Sequence, residues 1–278
     1  MAIKDILLTL TSYPEPTPAG VIDRAVSLAS LLGAHIAAVS CEVHVQVPGS
    51  FLSGPGNLGA IVANEAHKSR KNAQDLLATF ESTAQKAGVV HEIVLDRCLS
   101  SEVPDVLVEY ARLRDLAIVP VPESYDQWYA EAIIFGSGRP TLVLPEASAS
   151  REFELNRVLV AWDFSRAAAR AVSDAIPILE KAREVCILTV TNEKTISSRR
   201  SSSELAKNLS RHGIDVVVEE VDAAGQPIGE VLAGQVASRR ADLLVMGAYG
   251  HSRLREFVLG GATRSILTRP PIPVLLSH

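Results

Sequence analysis

The sequence predicts an α/β fold built twice: two tandem doubly wound domains, residues 1–146 and 155–278, each a parallel sheet with helices on both faces. Short apolar runs alternate with helical stretches in the order βαβαβαβαβ, and that order then repeats, which signals a covered parallel sheet. Landmarks recur as well. Asp115-Leu116-Ala117-Ile118-Val119 matches Asp242-Leu243-Leu244-Val245-Met246, and Phe135-Gly136-Ser137 stands where Leu259-Gly260-Gly261 stands. A period this long means a duplicated domain and not a solenoid. The length of 278 residues suits two domains of ordinary size.

In the first half, Ile3 to Leu10 is apolar enough for a buried strand, and Pro14, Pro16 and Pro18 make Thr11 to Pro18 a loop. Val21, Ile22, Ala25, Val26, Leu28, Ala29 and Leu32 then recur at helical spacing, with Gly33 as the stop. Ala34 to Val43 reads as the second strand and Val47 to Gly59 as a loop. A long helix from Ala60 to Lys86 follows, then a third strand, Val89 to Leu95, and a helix over Val103 to Arg112. Leu116 to Val121 is the fourth strand, Tyr125 to Phe135 a helix and Thr141 to Leu144 a short fifth strand. Glu146 to Glu154 is short and polar and reads as the linker.

The second half opens with the strand Arg157 to Ala161 and the turn Trp162-Asp163-Phe164-Ser165. Its first helix carries Ala168, Val172, Ala175, Leu179 and Ala182 on one stripe, and Pro177 inside it predicts a kink. Val185 to Val190 is a strand, Ser203 to His212 a helix and Val216 to Val221 a strand. A helix over Pro227 to Arg239 starts on a proline, which the first helical position tolerates. The strand Leu243 to Met246, a glycine loop, a helix over Ala262 to Leu267 and the strand Ile272 to Leu276 complete the chain.

Composition sets limits on function. Apolar residues make up 47%, enough for a core in each half, and a net charge of −5 argues against a nucleic-acid surface. There is no 18-residue apolar run for a membrane span, and Met1 to Ile6 lacks the pattern of a signal peptide. Cys41, Cys98 and Cys186 have no metal-ligand spacing, and so sparse a set fits a reducing compartment. The expectation is a cytoplasmic protein with no metal centre and no nucleic-acid or membrane partner.

The chemistry concentrates at Leu243 to Thr263. An apolar run closed by Gly247 looks like a strand buried on both faces, and Gly250, Gly260 and Gly261 follow at intervals. Glycines beyond such a strand let the backbone approach a ligand, and their N–H groups can converge on an anion. The amides at Gly261, Ala262 and Thr263, opening the next helix, also favour negative charge. This is a phosphate-cradle pattern. Glycine spacing also fits a plain strand-to-helix turn with no ligand.

Gly247, Gly250 and Gly260 just after a strand, together with Val158-Leu159-Val160-Ala161-Trp162-Asp163-Phe164-Ser165 and the closing Arg269-Pro270-Pro271-Ile272-Pro273-Val274-Leu275-Leu276, resemble the universal stress protein family. The resemblance covers the chain as two tandem copies, strong over residues 155–278 and faint over residues 1–146. It implies a five-stranded parallel sheet of order 3-2-1-4-5 in each copy. Ligands of open α/β sheets bind where such an order reverses, beyond the carboxyl ends of the strands. It further implies ATP with Mg²⁺ in that crevice of the second copy. Asp163 would hold the adenosine part, the backbone near Val190 and Thr191 would meet adenine, and Met246 would flank the base or ribose. Gly247, Gly250, Gly260 and Gly261 would give N–H groups to the phosphates. In the family the last strands often pair edge to edge, which here would be internal, Thr141–Leu144 against Ile272–Leu276, and leaves a further homodimer open.

Two departures matter. The nucleotide-binding pattern has a small hydroxyl residue where this chain has Gly261, so a donor is missing unless Thr263, His251, Ser252 or Arg253 supplies it. The first copy has Thr9-Leu10-Thr11-Ser12 with no Asp, and Pro120 and Pro122 lack the N–H that a cradle needs, so it reads as a non-binding partner. Competing roles stand beside these. Asp163 could simply cap a helix, Trp162 could stack on a base or pack in the core, and His251 and Arg253 could be solvated. No catalytic constellation and no P-loop lysine is present, so the function read here is a nucleotide-binding stress sensor, with a ligand-free scaffold or a slow ATPase as rivals.

Overall fold

The computed structural model describes residues 2–44, 58–122, 128–146, 153–192, 201–248 and 261–278. In the first half the order is β1 (Asp5–Leu10), α1 (Ala19–Leu32), β2 (His35–His44), α2 (Leu58–Lys86), β3 (His91–Leu99), α3 (Val103–Arg112), β4 (Leu116–Val121), α4 (Trp128–Gly136) and β5 (Thr141–Pro145). The second half follows with β6 (Arg157–Ala161), α5 (Arg166–Leu179), β7 (Glu184–Thr191), α6 (Ser202–Ser210), β8 (Val216–Asp222), α7 (Ile228–Arg239), β9 (Leu243–Gly247), α8 (Gly261–Thr268) and β10 (Val274–Ser277). Residues 147–152, most of the expected linker, lie outside the described residues.

Each half has the strand order 3-2-1-4-5, but the halves do not form two separate sheets. They merge into one ten-stranded sheet, β3-β2-β1-β4-β5-β10-β9-β6-β7-β8. Pairing within each half is parallel, and the seam between β5 and β10 is antiparallel, Val143 opposite Val274 and Leu142 opposite Leu275. Because the seam reverses strand direction, the carboxyl ends of the two halves face opposite edges of the sheet.

Residue alternation along the strands explains why both faces are covered. On β9, Leu243 and Val245 enter the core under α1, α2 and α5, whereas Leu244 and Met246 enter the core under α3, α4, α7 and α8. A strand apolar at every position is what a sheet buried on both faces requires. The duplication also survives at atomic detail. The Asp115 carboxylate accepts from the backbone N–H groups of Lys4 and Asp5, and Asp242 accepts from that of Arg157, at 2.8 Å in the shorter cases. Each aspartate thus ties the start of the first strand of its half to the start of the fourth.

Several boundaries differ from the sequence expectation. β3 runs on to Leu99, because it continues to pair with a ten-residue β2 up to His44–Leu99. Tyr125 falls outside the described residues, and α4 begins at Trp128. Pro227 is the cap of α7 and not its first residue. Pro177 falls in the last turn of α5, where one lost backbone bond costs little, and Ala182 lies beyond the helix end. Gly33 closes α1 at φ 60°, the left-handed conformation that glycine adopts most cheaply.

Leu275 and Leu142 are fully buried and directly opposed across the seam. Leu275→Ala should therefore cost about 3 kcal/mol in a urea titration, and the Leu142→Ala/Leu275→Ala pair should depart from additivity because the two cavities merge.

Candidate functional site

The reversal of strand order in the second half lies between β6 and β9, which pair Val158 with Leu243 and Val160 with Val245. Asp163 follows β6 directly. One of its carboxylate oxygens accepts the Ser165 N–H at 2.9 Å, and the Ser165 hydroxyl oxygen accepts the Ala168 N–H at 3.1 Å. Ser165 is thus the N-cap of α5, and Asp163 braces the turn that presents it. Phe164 between them has φ 62°, a left-handed conformation uncommon for a residue with a side chain, which turns the chain sharply from strand to helix.

Gly247 closes β9 against this same turn. A Cβ at Gly247 would lie 2.5 Å from both the carbonyl carbon of Ala167 and the amide nitrogen of Ala168. Only glycine permits this approach, so the first turn of α5 rests on the backbone at the end of β9. Asp163, Ser165, Ala168 and Gly247 form one contiguous set. The glycine therefore has a packing reason of its own, which the cradle pattern did not foresee.

The remaining expected residues are distributed unevenly. Met246 is 4% exposed and packs in the core beneath α7 and α8. Val190 and Thr191 close β7 half-buried. The Thr191 carbonyl already accepts from the Ala223 N–H and its hydroxyl donates to the Val221 carbonyl, so Thr191 is engaged by the strand beside it. Asn192 and Ala224 donate to the Asp222 carboxylate just beyond, and those two bonds, the backbone one foremost, hold Asp222 below the usual carboxylate range.

Gly261 opens α8 exposed, and a Cβ there would meet nothing within 4 Å; Ala262 is half-buried and Thr263 buried. Gly250, His251, Ser252, Arg253 and Gly260 lie outside the described residues. Trp162 packs against the core, and its indole Nε1 is buried with no partner among the described residues. Sequence reasoning missed two features: the αL conformation of Phe164, and Ser277 and His278 bracing the residue after Gly247. No local pattern marks the second, which depends on pairing between distant strands.

The corresponding edge of the first half is built differently. By register Thr11 stands where Asp163 stands, since Ile6 pairs with Leu116 as Val158 pairs with Leu243. Beside it Ser12 is buried, donating to the Cys41 carbonyl and sharing a hydrogen bond with Ser69 of α2, while Asn72 donates to the Ser12 carbonyl. This hydroxyl network ties the end of β1 to β2 and α2. At the end of β5, burial foremost, with Glu15 adding, pushes the Glu146 carboxyl up to about 7.

Among the described residues no helix is long and apolar enough to cross a membrane, and no group of three or more His, Cys, Asp or Glu side chains could hold a metal ion.

A duplicated doubly wound α/β protein, joined through its last strands and with a reversal of strand order in each half, is the class that this architecture defines. The sequence profile of the universal stress protein family matches residues 154–278. A universal stress protein of Synechocystis sp. is 28% identical over 271 residues, covering 89% of this chain and 91% of that protein. The crystal structure of a universal stress protein from Archaeoglobus fulgidus superposes with a TM-score of 0.73 at 17% identity, covering 98% of this chain and 95% of that one. A putative universal stress protein from Pseudomonas aeruginosa gives 0.60 at 14% identity, covering 99% and 93%. Both structural likenesses speak to fold. Residues 154–278 thus match the universal stress protein family, and over nearly its whole length the chain is similar to universal stress proteins and shares their tandem fold.

Two checks follow. Gly247→Ala should cost about 1–3 kcal/mol by chemical denaturation, because backbone atoms of α5 must move, whereas Gly261→Ala should be neutral or slightly stabilising. For Glu146, a carboxyl raised in the folded state binds its proton more tightly there than in the unfolded chain. Its stabilising contribution is full below about pH 4.5 and is lost as pH rises through about 7, so Glu146→Gln should flatten the fall in melting temperature across that window.

Proposed function

We propose that the second half binds an adenine nucleotide, ATP with Mg²⁺, in the crevice between β6 and β9, and that the protein acts as a nucleotide-dependent sensor or regulator in a stress response. The observation that carries this reading is the contiguous set at the strand reversal: Asp163, the capped N-terminus of α5, and Gly247 beneath it. A carboxylate suits ribose hydroxyls or an exocyclic amino group, and helix N-termini suit phosphate. Asp163 takes the adenosine part, with Val190 and Thr191 alongside. The Ala248 N–H already donates to the Ser277 carbonyl, so the phosphate donors are the amides opening α8 at Gly261, Ala262 and Thr263, with Gly250, His251, Arg253 and Gly260 completing the set. Mg²⁺ enters with the nucleotide, its phosphate oxygens as principal ligands. Residues 1–146 serve as a partner domain without a nucleotide loop, and residues 155–278 as the binding domain.

One observation favours a second reading, a ligand-free scaffold. Gly247 is explained by packing under α5 and Ala248 by its bond to Ser277, so neither requires a ligand.

Thermal melting with and without ATP and Mg²⁺ decides between the two. A native-state ligand at 100-fold excess over Kd adds about 2.7 kcal/mol of stability. Asp163→Asn keeps an oxygen for the Ser165 N–H but loses the charge, and should reduce the shift without lowering the basal melting temperature. Gly261→Ser places a hydroxyl in open space and should enlarge the shift. No shift with any adenine nucleotide would leave the scaffold reading.

A further inference from the structure

The seam between the halves reaches the root of the glycine loop through a short chain of contacts. β9 ends at Gly247, which pairs with Ser277 of β10. The next residue, Ala248, is fully buried; its N–H donates to the Ser277 carbonyl at 2.8 Å, and its own carbonyl oxygen lies 3.1 Å from Nδ1 of His278. A carbonyl can only accept, so Nδ1 carries the proton. The His278 ring meets Phe135 edge to face, with centroids 5.0 Å apart and planes at 76°. Phe135 belongs to α4 of the first half, across the seam. Both backbone groups of Ala248 are therefore held by β10 and the residue after it, and that residue is held in turn by the other half of the molecule.

We propose that His278 is a positioning residue. It fixes the Ala248 peptide at the root of the loop, and through Phe135 it lets the first half tune the affinity of the second-half crevice. The affinity part of this inference rests on the nucleotide reading above; the contact chain does not. It gives the first half a task in the same molecule. The edge-on ring contact restricts the imidazole orientation, and that orientation decides whether Nδ1 reaches the Ala248 carbonyl. An exposed histidine without such a contact would leave the carbonyl to water.

Three variants of the full chain separate the two contacts. His278→Asn keeps an N–H donor in the place of Nδ1 and loses the ring, His278→Phe keeps a ring and loses the donor, and Phe135→Leu keeps apolar bulk and loses the ring contact from the other side. Two quantities are read: the Kd for ATP with Mg²⁺, and amide hydrogen exchange at Ala248 against exchange in β1 and β4. His278→Phe should weaken binding roughly fivefold and speed exchange at Ala248, the size of one hydrogen bond. Phe135→Leu should weaken binding about threefold, His278→Asn, which keeps the donor to Ala248, should bind within about twofold of wild type, and Phe135→Leu should add no further loss in the His278→Asn background. His278→Asn should keep Ala248 protected, whereas Phe135→Leu should speed its exchange, with β1 and β4 unchanged in both. If Phe135→Leu leaves both affinity and Ala248 exchange at wild-type values, or speeds exchange throughout the first half, the coupling is overturned. If wild-type protein binds no adenine nucleotide, the functional reading fails by itself, and the exchange measurements still decide whether Phe135 acts on Ala248.

Discussion

The antiparallel bond between β5 and β10 is the interaction on which the rest of the architecture depends. Each half alone is an open parallel sheet whose last strand has an unpaired edge, with backbone donors and acceptors that must find partners. Pairing Thr141–Val143 with Val274–Leu276 satisfies both edges at once and buries Leu142 and Leu275 against each other. The chain needs no second copy to cover these two edges. The same bond turns the strands of the two halves in opposite directions, so the crevices open on opposite edges of the sheet and cannot share a ligand. It also brings α4 of the first half to the residue after β10, which is how Phe135 meets His278.

The two halves have diverged most at their carboxyl edges. In the second half a strand-to-helix turn carries a charged side chain, Asp163, whose bond to the Ser165 N–H shapes the turn and places a carboxylate at the crevice. In the first half the same position is Thr11, and the neighbouring Ser12 joins Ser69 and Asn72 of the long α2 in a buried network. Buried hydroxyls with partners are stable. The amino edges, by contrast, have kept the same device, an aspartate at the start of the fourth strand binding the start of the first. Structure has been retained at one edge of each half while the chemistry at the other has changed.

Much of this was legible in the chain. Apolar runs gave β4 and β6 their observed limits, and α3 falls on Val103–Arg112 as its periodicity predicts. Asp163 and Gly247 were identified as facing one crevice, because both follow strands that flank a reversal. One-in-two alternation along β9 sends the Met246 side chain into the core, and only the sheet decides which face an all-apolar strand turns where. The reach of β3 was underestimated, since charged Asp96 and Arg97 break the apolar pattern while the backbone goes on pairing with β2.

By itself the sequence determined the elements, their order, the duplication and the place of the candidate crevice, because these follow from local periodicity, turn chemistry and the rules of parallel-sheet connection. Tertiary structure decided the rest. It joined two five-stranded halves into one sheet, gave Gly247 its packing role under α5 and set His278 between Ala248 and Phe135. The physical reason is that these are contacts between residues far apart in the chain, fixed by register and close approach, and no local pattern of residues encodes which distant backbone will come within 3 Å.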